Sequence, residues 1–259
     1  MDLSIFQVDA FTDSVFGGNP AAVCPLDAWI ADDVMQAIAA ENNLAETAFF
    51  VANDNGYDLR WFTPTLEVEL CGHATLASAF LIFERFARDA EILRFQTRSG
   101  ELTVVRKDGL LFLDFPSYPG SAVDCPDALA GGLGNAPQAV IEGPNYMAVF
   151  ESEADIAALA PNMEVLATLH PRRVIATAPG DAVDFVSRFF GPSFGVPEDP
   201  VTGSAHCMLT PYWAQRLGKT RLDARQISTR GGVLVCEDRG DRVGIGGQAV
   251  LYLEGKITV

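Results

Sequence analysis

The sequence predicts an α+β protein made of two similar halves, each a curved β-sheet wrapped around one central helix. Three observations point there. First, the chain repeats itself: Arg60-Trp61-Phe62-Thr63-Pro64, Cys71-Gly72-His73-Ala74 and Thr97-Arg98-Ser99-Gly100-Glu101-Leu102 return in the same order as Arg188-Phe189-Phe190-Gly191-Pro192, Thr202-Gly203-Ser204-Ala205 and Thr229-Arg230-Gly231-Gly232-Val233-Leu234. The separations differ by about three residues or fewer, and an ordered triple match of this kind marks an internal duplication. Second, each half holds one stretch with helical spacing that is apolar nearly all round, which belongs inside a protein. Third, short alternating runs that read as strands surround both stretches.

Taken in chain order, Ser4 to Val8 and Ala48 to Val51 read as strands, and Tyr57 to Trp61 alternates apolar with charged. Between them Ala31 to Glu41 is an amphipathic helix, with Ile30, Val34 and Ile38 four apart and Asp32 and Asp33 placed to favour its N-terminus. Ala74 to Phe86 carries Leu76, Phe80, Leu81, Ile82 and Phe83 and is the first buried helix; Ser204 to Leu217, with Cys207, Met208, Leu209, Tyr212 and Trp213, is its partner. Glu101 to Arg106 and Leu110 to Phe115 form a hairpin about Lys107-Asp108-Gly109. Pro116-Ser117-Tyr118-Pro119-Gly120 reads as a linker. The expected division is therefore 1–116 for the first half and 117–248 for the second, with a final strand over 249–259 returning to the first.

Composition narrows the function. Of 259 residues 49% are apolar, enough for one large core or two modest ones. The longest mostly apolar run, Ala74 to Phe83, falls short of the ~20 residues that cross a bilayer, so no membrane partner is expected. Met1-Asp2-Leu3-Ser4 opens directly into a strand pattern without a basic region and apolar stretch, and a cytoplasmic location is the expectation. A net charge of −16 and a pI near 4.4, with no Lys/Arg cluster, disfavour nucleic acid. Five scattered cysteines without C-x-x-C spacing, and three histidines, predict reduced thiols and no metal site, leaving His73 or His206 at most a lone ligand. No Gly-rich dinucleotide fingerprint is present, so no cofactor is expected.

Chemistry concentrates where each buried helix begins. Glu69-Leu70-Cys71-Gly72-His73 and Glu198-Asp199-Pro200-Val201-Thr202-Gly203-Ser204 are both polar and glycine-containing. Free backbone N–H groups and the positive dipole end of a helix start suit an anion such as a substrate carboxylate. If the halves are related by a pseudo-twofold axis, the two starts face one another. The plainer alternative is that both are ordinary helix starts, with Thr202 or Ser204 as a cap and glycine making a tight turn.

A wider set of motifs is then recognisable. Phe6-Gln7-Val8-Asp9-Ala10-Phe11, Gly18-Asn19-Pro20-Ala21-Ala22-Val23, Asn43-Leu44-Ala45-Glu46-Thr47, Phe62-Thr63-Pro64, Cys71-Gly72-His73-Ala74-Thr75 and Asp199-Pro200-Val201-Thr202-Gly203-Ser204-Ala205-His206 resemble, in this order, the motif series of the PhzF-like family. The resemblance runs from residue 6 to about 255. It implies the diaminopimelate-epimerase-like fold, a cofactor-independent isomerase of small carboxylated metabolites, and commonly a homodimer. It also implies that Glu46 is the acid/base, that His73 and Asp199 are catalytic partners, and that Asn19, Cys71, Gly72, Gly203 and Ser204 contact the substrate. A carboxyl in a closed, water-poor site is suited to take and return a proton near neutral pH. His73 would orient a substrate group or relay a proton, and Asp199 would hold an amino or hydroxyl group.

The chain departs from amino-acid epimerases of that fold, which resemblance implies use one thiol at each helix start. Cys71 holds the first position, but alignment puts Pro200 at the second, and Cys207 lies about one turn inside a helix expected to be buried. A proton shift on one face by Glu46 alone is thus the favoured expectation. Two alternatives stay open: an epimerase of amino or hydroxy acids using Cys71 with Glu46, and a non-catalytic homologue that only binds a small molecule. A nucleophilic hydrolase is disfavoured, because Cys71 and His73, two apart at a helix start, are expected to point in different directions.

Overall fold

The computed structural model describes all 259 residues, which form two compact units, Met1–Asp114 with Gly246–Val259, and Phe115–Ile245. In chain order the first unit holds β1 (Asp2–Ala10), β2 (Asn19–Leu26), α1 (Asp32–Asn42), β3 (Glu46–Asn53), β4 (Gly56–Phe62), β5 (Glu67–Val68), α2 (Gly72–Arg85), β6 (Ile92–Thr97), β7 (Gly100–Lys107) and β8 (Leu110–Pro116), the last reaching the boundary. β2 runs parallel to β3 and antiparallel to β1, β3 and β4 are antiparallel, and β4 lies parallel to β6. Alternation along these strands gives the sheet two apolar faces. Ile5, Ala22, Cys24 and Phe49 pack with Met35, Ile38 and Ala39 of α1. Val8, Ala21, Val23 and Ala48 point the other way, toward α2, and are fully buried.

α2 is buried from Gly72 through Ala79 and again at Leu81, Ile82 and Phe83, the all-round apolar helix that the sequence predicts. Its two internal hydroxyls are satisfied locally. Thr75 Oγ1 donates to the Cys71 carbonyl and Ser78 Oγ to the Ala74 carbonyl, each one turn back. The β7–β8 hairpin pairs Lys107 with Leu110, leaving Asp108 and Gly109 as a two-residue turn with φ of 54° and 76°. Positive φ at both positions is what a turn matching strand twist requires, and Asp-Gly supplies it cheaply.

The second unit continues with β9 (Ser121–Val123), α3 (Asp127–Leu133), β10 (Ala139–Glu142), β11 (Tyr146–Val149), α4 (Glu153–Ala157), α5 (Met163–Ala167), β12 (Val174–Pro179), β13 (Phe185–Gly191), β14 (Val196–Asp199), α6 (Gly203–Leu217), β15 (Arg221–Gln226), β16 (Gly232–Asp238) and β17 (Arg242–Gly247). The pairing scheme of the first half returns: β11 parallel to β12, β12 antiparallel to β13, and β13 parallel to β15. One ion pair returns with it. Arg60 on β4 forks onto Glu67 of β5 through Nε and Nη2, both at 2.8 Å, and Arg188 on β13 forks onto Glu198 of β14 at 2.7 and 2.9 Å.

α6 contains Pro211, which cannot donate to the Cys207 carbonyl. The N–H of Tyr118 donates to that oxygen instead, at 2.9 Å, so the proline leaves no buried acceptor unserved. After β17 the chain returns to the first unit as β18 (Ala249–Thr258), antiparallel to β1 from Asp2↔Thr258 to Ala10↔Ala249. All five cysteines are free thiols. No helix is long and apolar enough to cross a membrane.

Candidate active site

In the first half, local geometry delivers five of the sequence-selected residues to one place. Gly18 has φ +60°, and a Cβ there would stand 2.1 Å from the Ala10 carbonyl oxygen, so only glycine lets the chain turn at this point into Asn19, the first residue of β2. Asn43 closes α1 in the left-handed region at φ 49°, and the short connection after it starts β3 at Glu46, directly opposite Ala21 in the parallel ladder. Cys71 is the extended N-cap of α2, with φ −144° and ψ 113°, and no side chain caps the amides of that turn. Asn19, Glu46, Cys71, Gly72 and His73 therefore converge at one end of the sheet.

His73 is the centre of the group. Its Nε2 lies 3.1 Å from Glu46 Oε2, and its Nδ1 lies 3.3 Å from Asn19 Nδ2 and 3.6 Å from Cys71 Sγ. Asn19 is fully buried, His73 and Cys71 are 5% and 6% exposed, and the Glu46 side chain is 18% exposed. Glu46 is thus the member that reaches solvent. The expectation that Cys71 and His73 point apart is wrong: an N-cap residue has extended rather than helical backbone, so helical angular spacing does not apply to the pair.

Burial raises the Cys71 thiol above its ordinary range, with the Glu46 charge adding to it and His73 partly opposing. For His73 burial is again the largest influence and resists protonation, but the Cys71 sulfur and the Glu46 carboxylate outweigh it, and the imidazole titrates well above its usual range. Donor atoms of Glu46, Cys71 and His73 all lie within 4.8 Å of one another, near enough to share a cation. Sequence spacing gives no sign of such a cluster, because its carboxylate comes from a different strand.

In the second half, Asp199 ends β14 and accepts a hydrogen bond from Thr202 Oγ1, while Gly203 is buried and Ser204 exposed at the start of α6. By position on the helix the counterpart of Cys71 is the N-cap Thr202, not Pro200; neither carries a thiol. Gln226, which the motif search missed, braces this turn. Its Nε2 donates to the Asp199 carbonyl at 2.7 Å, and its Oε1 accepts from Thr202 N–H at 2.9 Å. The signal was available: along β15 the buried positions are Leu222, Ala224 and Gln226, so an amide occupies an inward position otherwise filled by apolar residues.

His206 stands apart from this chemistry, with Nδ1 2.9 Å from the Thr202 carbonyl and its ring against Phe185. Burial lowers its pKa to about 4, so it is neutral. Cys207 is buried as expected, and burial pushes its thiol to about 12.

Comparison with known proteins agrees with this architecture. The chain is 55% identical to an uncharacterized isomerase of Pseudomonas aeruginosa over 99% of both sequences. It superposes with a TM-score of 0.98 on the crystal structure of a phenazine biosynthesis protein of the PhzF family from Enterococcus faecalis, at 45% identity and covering all of both chains. A hydroxyproline epimerase from Agrobacterium vitis shares the fold at a TM-score of 0.61 and 9% identity, covering 99% of this chain and 92% of the other. The model of the phenazine biosynthesis-like protein family, PhzC-PhzF, matches residues 8–255, and the chain belongs to that family.

Proposed function

We propose that the protein is an isomerase that moves a proton on a small carboxylated metabolite, with Glu46 as the single acid/base. The observation that carries this reading is the 3.1 Å contact between Glu46 and a buried His73 whose protonated form is favoured. The contact fixes the carboxylate against the ring of a residue at the start of α2. The same carboxylate is the most exposed member of the cluster, its side chain being 18% exposed.

In the proposed reaction Glu46 removes a proton from a carbon next to a C=C or C=O group. The electron pair delocalises into that group, and Glu46 returns the proton to the far end of the allylic or enol system. No bond to the enzyme forms and no oxidant or reductant is consumed. The uncapped amides at the start of the 14-residue α2 support a carboxylated substrate, since such amides bind anions. Resemblance assigns Asp199 to a substrate amino or hydroxyl group and Asn19, Cys71, Gly72, Gly203 and Ser204 to substrate contact.

The test is solvent exchange. Unsaturated and 2-oxo carboxylic acids are incubated with the protein in D2O containing EDTA, and isotope incorporation is followed by NMR. Enzyme-dependent incorporation at carbon is expected. Glu46→Gln should lower its rate by roughly two to four powers of ten, the usual worth of a positioned acid/base, with circular dichroism checking that the variant is folded. An unimpaired Glu46→Gln protein would sink the proposal.

A further inference from the structure

The buried cluster at the start of α2 has the composition and spacing of a site for a soft divalent cation. Cys71, His73 and Glu46 supply a thiol, an imidazole and a carboxylate, and one donor atom of each lies within 4.8 Å of the other two. These are the ligand types that zinc takes, and three protein ligands with the fourth position left to water is its usual open arrangement. Spacing rules miss the set, because only Cys71 and His73 are near one another in the sequence.

An ion takes a single ring nitrogen, so one of the two present ring contacts has to change. Zinc bonds of about 2.0–2.3 Å place neighbouring tetrahedral ligand atoms roughly 3.3–3.6 Å apart. Both measured edges are already close to that: 3.1 Å from His73 Nε2 to Glu46 Oε2, and 3.6 Å from His73 Nδ1 to Cys71 Sγ. The ligand on the other edge of the ring, at most 4.8 Å away, has to move in by roughly an ångström. A side-chain rotation supplies such a shift without moving the backbone.

Charge fits the cation as well. A carboxylate and a thiolate together neutralise a divalent ion, so the complex buries no net charge, and uncompensated charge is what burial penalises. A coordinating thiol is deprotonated outright. The Cys71 S–H bond breaks, the metal–sulfur bond forms and the proton leaves to solvent, with no change of oxidation state. Thiolate ligation selects zinc and metals like it over magnesium and calcium, which take oxygen ligands.

We propose that Glu46, Cys71 and His73 bind zinc reversibly and that the bound ion inhibits the protein by occupying its acid/base. Binding stands on the cluster alone. Inhibition rests on the reaction proposed for Glu46, since coordination engages the carboxylate oxygen that would take the substrate proton.

Cobalt(II) tests the site, because it is a coloured stand-in for zinc. The protein carries Cys125→Ser, which removes the exposed thiol. One equivalent of cobalt should give the visible absorption of a tetrahedral ion and a thiolate-to-cobalt charge-transfer band in the near ultraviolet. Zinc should bleach both, and magnesium or calcium should bleach neither. Cys71→Ser should lose the charge-transfer band. His73→Gln and Glu46→Gln should each weaken cobalt binding at least about a hundredfold, the upper end of what residues that only support a ligand are worth. Circular dichroism checks that each variant is folded, and the parent spectrum needs no substitution at the cluster. No charge-transfer band in the parent, or one that persists in Cys71→Ser, would overturn the site.

Exchange kinetics test the consequence. In the D2O assay, saturating zinc should abolish isotope incorporation and excess EDTA should restore it. Undiminished exchange at a zinc concentration that bleaches the cobalt spectrum would overturn the inhibition. Absence of exchange in EDTA alone would sink the Glu46 reaction and the inhibition with it, while the cobalt spectrum still decides the site.

Discussion

Glu46 and His73 form a carboxylate–imidazole contact of 3.1 Å in which the imidazole is 5% exposed. The consequence is a stability that depends on pH with a definite sign. The folded-state pKa of His73 is raised, so the contact contributes fully below the unfolded value near 6.5 and is lost as pH climbs through the higher folded value. Wild type and His73→Gln should therefore differ most in urea midpoint at about pH 6 and progressively less toward about pH 9. A difference that stays constant over that range would show that the contact is not an ion pair.

The duplicated arginine forks make a second comparison. Arg188 bonds Glu198 with two nitrogens and gives Nη1 to the carbonyls of Ile156 and Leu159, tying the end of α4 to the sheet. Its side chain is 13% exposed, so removing the carboxylate strands a mostly buried cation. Glu198→Gln should cost about 1–3 kcal/mol by denaturant unfolding. Glu67→Gln should cost less, because Arg60 keeps Asp32 at 2.9 Å. Equal losses would mean that the Asp32 contact compensates nothing.

The fold was legible in the sequence because its signals are local or repeated. The apolar circumference of Ala74 to Phe86 marks α2, the Asp108-Gly109 pair marks the hairpin turn, and the ordered echo of three motifs marks the duplicated sheet-and-helix unit. The site was legible only as candidates. That Asn19, Glu46 and Cys71 meet around one imidazole follows from the parallel β2–β3 register and from where α2 begins, and no short window of sequence encodes a parallel ladder. Cys71 was misjudged for a local reason, its extended N-cap backbone. Gln226 was missed because its role depends on the turn it braces, which lies 24 residues earlier at Thr202.

His206 predicts the acid limit of stability. It is neutral when folded, with a pKa of about 4 caused by burial, whereas an unfolded histidine takes up a proton near 6.5. Between those values the unfolded state binds more protons, so stability falls as pH drops from about 6.5 to 4, by on the order of 3 kcal/mol from this group. His206→Asn keeps a donor for the Thr202 carbonyl and should flatten that slope while costing some stability at neutral pH through lost packing. An unchanged slope in acid titrations of the urea midpoint would assign the acid sensitivity elsewhere.

Cys71 decides between one base and two. Its sulfur lies 3.6 Å from His73 Nδ1, while Glu46 lies 3.1 Å from Nε2 on the other edge of the ring. The two proton carriers thus contact opposite edges of one imidazole, whereas an epimerase using both needs them on opposite faces of the substrate carbon. Burial holds the thiol protonated, suiting it to donate rather than to abstract. If Glu46 both removes and returns the proton, Cys71→Ser keeps a small hydrogen-bonding group in place and should slow exchange by less than about tenfold. If a proton leaves toward Glu46 and another arrives from Cys71 on the opposite face, Cys71→Ser should be as damaging as Glu46→Gln, roughly two to four powers of ten. The product separates the cases independently: the one-base route moves a double bond or an enol, whereas the two-base route inverts the labelled carbon. Inversion together with equal damage from both substitutions would replace the one-base reading with an epimerase.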